Sequence, residues 1–196
     1  MVSAIVPALA FGDSLFLLIP DVANNHPETV LSVLQANLMS IPFDFVVRNK
    51  LQGQNFSWYI LEQLPIVPRD AYARKFGKKS AANIVKDDVL ALTYTANDME
   101  PFARDMGYTG KPFPWDEADR ARRRARLDAL YFMLYFPSQT KAEIEALRET
   151  AQYIFSTFPI VEREDIAAHG RYLARDLCLA YINALAAGDP DASITL

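Results

Sequence analysis

Four prolines, at positions 27, 42, 65 and 68, divide the stretch 27–68 and restrict the structures that it can form. Between the first two, apolar residues recur at helical spacing at positions 30, 31, 34, 38 and 41. Proline is tolerated in the first turn of a helix, so we expect a helix to begin near Pro27. Pro42 removes a backbone donor and disfavours helical geometry at Ile41, which predicts a kink there.

A polar break separates this helix from a second, shorter one. Residues 49–55 are amide-bearing, basic or glycine, apart from one leucine. Ser57 is suited to cap the next helix, whose residues predicted to face a core are Tyr59, Ile60, Leu61 and Leu64. Pro65 stops that helix, and residues 65–68 are expected to leave as extended chain. The stretch is therefore predicted to be a helix, a loop, a short helix and an extended exit.

Motifs within this stretch are shared with a known family. Residues 43–50 read Phe-Asp-Phe-Val-x-Arg-x-Lys, a Gly/Gln/Asn loop with Phe56 follows, and residues 61–68 read Leu-Glu-Gln-Leu-Pro-Ile-x-Pro. This combination resembles the target-recognition region of adenine-specific DNA methyltransferases, above all the fused restriction-modification methylases of the Eco57I-like or type IIG kind. The glycine-asparagine loop with its leucine-proline exit is also similar to type I restriction specificity subunits.

The resemblance covers nearly the whole chain. Segments 92–103, 107–116, 127–131 and 157–161 look like the C-terminal part of the same methyltransferases, in the same order. The chain departs from the family in its loop, where adjacent glycines are usual and residues 52–54 here read Gln-Gly-Gln. The resemblance implies a target-recognition module that acts on double-stranded DNA together with a catalytic domain that binds S-adenosylmethionine.

Two segments carry the residue types that DNA recognition needs: the loop after the first helix, and the basic stretch 69–86. Arginine and lysine contact phosphates, while glutamine, asparagine and arginine read base edges. The candidate DNA-binding residues are Arg48, Lys50, Gln52, Gly53, Gln54, Asn55, Arg74, Lys75, Lys78 and Lys79. Each segment also has a structural alternative, since the loop amides can cap helix ends and residues 69–86 can be a solvated connector.

The N-terminal region predicts strands. Aliphatic runs at Val2–Val6 and Ser14–Ile19 flank a Phe-Gly-Asp turn, and the chain begins inside an apolar run, which is typical of a piece of a longer protein. We therefore predict an α+β, mostly helical fold: short N-terminal strands, a helix-loop-helix recognition element and a C-terminal helical bundle. Three parts are expected: the end of a target-recognition domain at 1–68, a basic connector at 69–86 and a helical subdomain at 87–196.

Capping signals mark the helices that follow the connector. Asp87 or Asp88 is predicted to cap one helix, and Asp116 opens the clearest helix, which runs to about residue 135. The first turns of that helix crowd five arginines, at positions 120, 122, 123, 124 and 126. Nearby aspartates partly neutralise them at helical spacing, so we interpret the cluster as a solvated face, with phosphate contact as the alternative.

The last third of the chain contains two further helix signals. Thr140 and Glu143 form a capping box, which predicts a helix that ends before residue 159. The acidic residues 162–165 are interpreted as a hinge. A final helix is expected over 171–187, with Gly188 in the stop position.

Composition limits the possible functions. The net charge of −4 argues against a freestanding, nonspecific DNA-binding protein, which depends on surplus lysine and arginine. No apolar run reaches the roughly 18 residues of a membrane span, so we expect a cytoplasmic protein without a membrane partner. The one cysteine, Cys178, lies beside leucines on an apolar face and is predicted to be core.

The sequence contains no catalytic constellation. The Asn/Asp-Pro-Pro-Tyr/Phe motif and the glycine-rich segment for S-adenosylmethionine, which adenine-N6 methyltransferases carry, are both missing from the 196 residues. We therefore expect no enzymatic activity and no cofactor in this chain itself. The alternative to DNA recognition is a helical interaction module that docks a methyltransferase or another subunit of a phage-defence system.

Overall fold

The computed structural model describes residues 3–7, 17–19, 27–51 and 57–195. These residues contain nine α-helices, one two-stranded hairpin and two short 3-10 helices, at Arg69–Ala73 and Asn97–Met99. The hairpin consists of β1 (Lys75–Phe76) and β2 (Lys79–Ser80). The helices are α1 (Pro27–Met39), α2 (Ile41–Lys50), α3 (Trp58–Leu61), α4 (Ala81–Thr93), α5 (Glu100–Asp105), α6 (Glu117–Tyr135), α7 (Lys141–Ser156), α8 (Pro159–His169) and α9 (Leu173–Ala186).

The prediction of an α+β, mostly helical fold is confirmed, but the strands are not where we expected them. Residues 3–7 and 17–19 form neither strand nor helix, and the rest of the two predicted strands lies outside the described residues. Residues 3–7 attach to α1 instead, where the Ser3 carbonyl accepts a hydrogen bond from Gln35 Nε2 at 2.8 Å. Bonding to a helix side chain takes the place of strand pairing.

The kink between the first two helices is confirmed. α1 begins at Pro27, and α2 turns away from it by 64° after Ser40. Pro42 lies in the first turn of α2, where its missing N–H costs no helical hydrogen bond. The prediction that Tyr59 faces a core is wrong, since 75% of this side chain is exposed. α3 is a single turn and buries none of its own residues, while Leu64 beyond it is buried.

Helix α6 forms the centre of the molecule. It packs most extensively against α9 and also against α4, α2 and α7. All six residues at 129–134 are buried, whereas a single apolar face was expected from the sequence. A helix that is surrounded on all sides has no solvent face in its buried half, which explains the difference.

A chain of tyrosine and asparagine side chains ties α1 and the extended exit to α6. Tyr131 donates to the Val33 carbonyl at 2.8 Å, so Tyr72 donates to Tyr131 across their 3.0 Å contact. Tyr135 donates to the Pro65 carbonyl at 2.8 Å, and Asn37 accepts from the Val67 N–H at 3.0 Å. Burial raises the pKa of Tyr135 to about 12, which keeps its hydroxyl proton available for donation.

A buried carboxylate joins α4 to α6. Asp88 is fully buried and lies inside α4, so the prediction that it or Asp87 caps a helix is wrong; Ser80 caps α4. Asp88 binds Arg126 (Nη2 to Oδ1, 2.5 Å) and Arg123 (Nη1 to Oδ1, 3.0 Å). These two arginines therefore belong to the fold rather than to the solvated face predicted for the cluster. Burial raises the pKa of Asp88, and the two guanidinium groups oppose that rise.

Two signals of the last third are confirmed and one is wrong. The capping box of Thr140 and Glu143 forms as expected at the start of α7, and Cys178 is buried in α9. The predicted acidic hinge at 162–165 is helical, because Pro159 starts α8 ahead of it. Asp165 accepts a hydrogen bond from the Ala174 N–H at 2.7 Å and so caps the start of α9 from the neighbouring helix.

The stretch 69–86, predicted as a basic connector, is part of the fold. It contains a 3-10 helix, the hairpin and the first turns of α4, and it buries Tyr72, Phe76 and Ile84. The hairpin turn meets the end of α9 closely: a Cβ on Gly77 would lie 2.0 Å from the Gly188 carbonyl oxygen. One hydrophobic core includes buried residues from 36 to 185 and thus spans all three predicted parts.

Among the described residues, no single helix is long and apolar enough to cross a membrane. The bent pair of α1 and α2 meets the length and composition criteria when the two helices are taken together.

Replacement of Arg126 by leucine is expected to lower the free energy of unfolding by about 2 to 4 kcal/mol, because Asp88 stays buried with one guanidinium instead of two. Arg122→Leu is the matched control, since it removes the same charge from the same helix at a half-exposed position, where the guanidinium lies 3.8 Å from Asp119 Oδ1. The control is expected to change stability by less than about 0.5 kcal/mol. Urea unfolding measures both values, and equal losses would show that Asp88 does not depend on Arg126.

Replacement of Gly77 by alanine is expected to destabilise the protein more than the same change at Gly107. Both glycines have positive φ, +62° and +79°, so both variants pay a similar backbone cost. A Cβ at Gly107 meets nothing within 4 Å, whereas one at Gly77 overlaps the Gly188 backbone. Thermal unfolding of both variants isolates the contact, and identical melting temperatures would argue against it.

Candidate nucleic-acid interface

The end of α2 presents the first two predicted DNA-binding residues. Arg48 and Lys50 lie in its last turn, and 57% of the Arg48 side chain is exposed. Arg48 Nε lies 3.1 Å from Asp44 Oδ2, and its guanidinium carbon lies 4.7 Å from the centroid of the Phe158 ring. Positive charge at a helix C-terminus is also favoured by the helix dipole, so both residues stabilise α2 in the absence of DNA.

The predicted base-reading residues follow directly. Leu51 ends α2 with extended backbone, and its N–H bonds to the Val47 carbonyl at 2.9 Å. Gln52, Gly53, Gln54 and Asn55 lie outside the described residues. Arg48 and Lys50 are therefore the described members of this part of the predicted interface.

The hairpin carries the second group of predicted residues, and the structure divides them. Lys75 and Lys78 are exposed on the hairpin. Arg74 donates to the Met133 and Ser138 carbonyls at 2.6 and 2.9 Å and stacks on the Phe76 ring, 5.0 Å from its centroid. Its guanidinium thereby holds the end of α6 within the protein.

Lys79 is likewise engaged in the fold. Its ammonium lies 2.9 Å from Asp191 Oδ1 and 3.0 Å from Asp87 Oδ2, and these hydrogen bonds raise the pKa of Lys79. Of the four predicted basic residues at 74–79, the two with solvated charges are thus Lys75 and Lys78. We retain these two in the candidate interface.

The two basic groups lie near opposite ends of α7. Lys75 shares a cleft of about 380 Å³ with Ile144 in the first turns of α7, whereas Arg48 stacks on Phe158 just beyond its end. The 14 residues from Ile144 to Phe158 correspond to about 20 Å along a helix. This separation along the helix is shorter than one turn of duplex DNA, about 34 Å.

The start of α2 is held from another helix. Ser40 occupies the N-cap position, but its hydroxyl donates to the Asn37 carbonyl at 2.8 Å and caps nothing in α2. Asp128 of α6 supplies the missing acceptor: its Oδ1 lies 2.8 Å from the Ile41 nitrogen. The first N–H of α2 is thus capped by a residue 87 positions away in the sequence.

The Asp128 carboxyl group, which makes this contact, is also an unusually weak acid. The residue is partly exposed as a whole, but its carboxyl group is enclosed between helices, and this burial raises the pKa of Asp128 to about 7. The bond from Ile41 and the charge of Arg124 oppose the rise, while the charge of Asp44 adds to it. Asp128 also raises the pKa of the buried Cys178 thiol, for which burial is the larger cause. The carboxyl group therefore changes charge near neutral pH.

The sequence did not lead us to the buried roles of Asp88 and Asp128, although the position of each in its helix indicates burial. Asp88 is four residues after Ile84 and three after Val85, which places it on the apolar face of α4. Asp128 lies three residues before Tyr131 and four before Phe132, so two aromatic residues follow it on the same side of the helix. A carboxylate that is spaced with core residues indicates a buried ionic or hydrogen-bonding partner. Asp88 binds two arginines, and Asp128 binds the N-terminus of α2.

A further cleft among the described residues is largely apolar. This cleft of about 210 Å³ between α2 and α7 is lined by apolar and aromatic side chains, with Phe45, Tyr153 and Ile154 among them. Within the described residues, no group of three or more His, Cys, Asp and Glu side chains is placed to hold a metal ion. The described surface can bind through charge and through apolar contact.

Neither the family models, nor the curated proteins, nor the solved structures with which the chain was compared gave a match.

The Asp128→Asn variant is expected to remove a pH dependence of stability. In the folded chain the carboxyl group titrates near pH 7, against 3.8 for an ordinary aspartate, so the folded state holds the extra proton between these values. The favourable contribution is complete below about pH 4 and is lost as the pH rises through about 7, a change of about 4 kcal/mol. Asparagine keeps an acceptor for Ile41 and carries no charge.

The measurement is urea unfolding of both proteins at several pH values between about 4 and 8. The stability of Asp128→Asn relative to the wild type is expected to increase with pH over this range. Asp98→Asn, at an exposed position, serves as the control for the loss of one carboxylate. A difference that stays constant with pH would contradict the assignment.

Proposed function

We propose that this chain is the DNA target-recognition module of a restriction-modification adenine-N6 DNA methyltransferase. In this role it binds double-stranded DNA and acts with a catalytic domain that holds S-adenosylmethionine. The observation that carries the proposal is the presentation of Arg48 and Lys50, exposed at the end of the capped helix α2 that follows the kink and next to the amide-rich loop in the sequence. The resemblance of the sequence to Eco57I-like and type IIG methyltransferases supports the same function.

The exposed lysines of the hairpin support the proposal further. Lys75 and Lys78 add exposed positive charge near the end of α7 that lies opposite Arg48. Phosphate contacts of this kind fix the register of a protein on DNA, while amide side chains in the loop read the bases. A net charge of −4 keeps the basic surface local, so the catalytic domain completes the binding surface in the proposed enzyme.

A second candidate function is a docking module for a methyltransferase or another subunit of a phage-defence system. Large apolar side chains are exposed in the first 66 residues of the chain: Val6, Leu17, Leu18, Ile19, Met39, Trp58, Tyr59 and Ile66. Exposed apolar surface of this kind favours a protein partner. On this alternative, a catalytic subunit co-elutes with the chain in gel filtration without DNA, and Tyr59→Ser with Ile66→Ser abolishes co-elution.

Selection from a pool of random DNA duplexes at low salt tests the proposed function directly. Sequencing of the bound fraction is expected to show a short enriched motif, whose retention weakens as the salt concentration rises. The variant with alanine at positions 48, 50, 52 and 54 is expected to lose the enrichment and keep its fold, because Arg48 and Lys50 are exposed. Failure of the wild-type chain, alone and joined to a catalytic domain, to enrich any motif would reject DNA recognition.

The double variant Arg48→Ala/Lys50→Ala is expected to weaken DNA binding through lost phosphate contacts. Each contact contributes about 0.9 to the slope of log affinity against log salt, so the slope falls by about 2. Lys111→Ala/Arg163→Ala is the matched control: it removes one lysine and one arginine from exposed positions outside the candidate interface and is expected to keep the slope. Fluorescence anisotropy with a labelled duplex measures both, and equal losses would show that only net charge matters.

A further inference from the structure

The cap on α2 is a contact between two helices rather than within one. Ile41 donates to Asp128 of α6 at 2.8 Å, and α6 contributes more buried residues than any other helix of the described chain. The buried side chains of Phe43 and Val47 hold one face of α2, and the bond to Asp128 adds a directional contact at its first residue. The kink after Ser40 makes the contact important, because α2 does not continue the axis of α1.

The direction of α2 determines where its last turn projects. The helix has ten residues and is therefore about 15 Å long, so a tilt of about 10° at its first residue moves its last residue by about 2.5 Å. Hydrogen bonds and charge-assisted contacts tolerate about 0.5 Å in distance. A small tilt of α2 at Ile41 would thus move Arg48 and Lys50 out of contact with DNA.

We propose that Asp128 is a positioning residue that sets the direction of α2 and, through it, the presentation of Arg48 and Lys50 to DNA. The part of this inference that concerns DNA rests on the proposed function. Asp128 itself contacts no ligand in this role. It acts through the hydrogen bond to Ile41, for which a neutral acceptor of the same shape is sufficient.

The groups around Asp128 are consistent with a positioning role. Asp44 of α2 faces it with the same charge and binds Arg48, while Arg124 on α6 supplies the opposite charge. Cys178 faces it from α9. The start of α2 is therefore linked through Asp44 to the guanidinium that the last turn presents, within one short helix.

Two variants separate the hydrogen bond from the charge. Asp128→Asn keeps an acceptor for the Ile41 N–H, and Asp128→Leu has nearly the same shape without one. Spin labels at Lys50→Cys and Lys141→Cys report the distance from the end of α2 to the start of α7, and the native Cys178 is buried. The distance distribution is expected to stay unchanged in Asp128→Asn and to shift or broaden in Asp128→Leu. An unchanged distribution in Asp128→Leu would overturn the proposal.

DNA affinity supplies the second measurement, as a double-mutant cycle. Asp128→Leu is expected to weaken binding about fivefold in the wild-type background and less than about twofold when Arg48 and Lys50 are already alanine. Asp128→Asn is expected to restore the affinity. An equal loss in both backgrounds would mean that Asp128 acts through general stability, and would overturn the positioning role.

The two measurements distinguish the inference from the function on which it rests. The label distances are measured without DNA. A wild-type chain that fails to bind DNA would therefore reject the proposed function, and the label distances would still test whether Asp128 sets the direction of α2. Asp128→Leu could alter the label distance and leave DNA affinity unchanged. The proposed function would then stand. That result would overturn the link from Asp128 to presentation.

Discussion

Successive turns of α6 carry polar side chains that each bond a different neighbour, and the arrangement of the molecule depends on these bonds. Arg123 and Arg126 hold Asp88 of α4, Asp128 holds the start of α2, and Tyr131 holds α1. Because α6 is enclosed by its neighbours, burial of any of these polar groups without its partner would lower the stability of the folded state. Hydrophobic burial places the helices around α6, and the polar bonds select one orientation for each.

Ion pairs within the fold also determine which basic side chains of this acidic protein remain exposed. Several cations of the hairpin and of α6 are neutralised within the fold: Arg123 and Arg126 bind Asp88, and Lys79 binds Asp87 and Asp191. Arg48 keeps more than half of its side chain in solvent, and Lys75 and Lys78 are exposed. In an acidic protein, the exposed cations rather than the total count define where an anionic partner meets attraction.

Local signals predicted much of the helical architecture. The kink at Pro42, the Asp116 cap, the capping box at Thr140 and the buried Cys178 follow from rules that act over a few residues, and the structure has all of them. The failures have a different cause. The pairing of Asp88 with two arginines and the cap from Asp128 join residues 35 to 87 positions apart, and no local rule reports which helices meet.

The candidate interface divides in the same way. Residue type and the family resemblance indicated Arg48, Lys50 and the lysines of 69–86, since charge and donor groups are visible in a sequence. That Arg74 is used to hold the Met133 and Ser138 carbonyls is a consequence of tertiary contact, and a basic stretch gives no sign of it. Tyr59, predicted inward from spacing alone, lies in a helix too short to bury a face.

The contact between Gly77 and Gly188 has a consequence for the order of folding. The two residues are 111 positions apart (188 − 77), and each approaches the other through its backbone. A chain closure of this length is slow compared with the formation of helices. The contact between the hairpin and the end of α9 is therefore expected to form later than the helices that it joins.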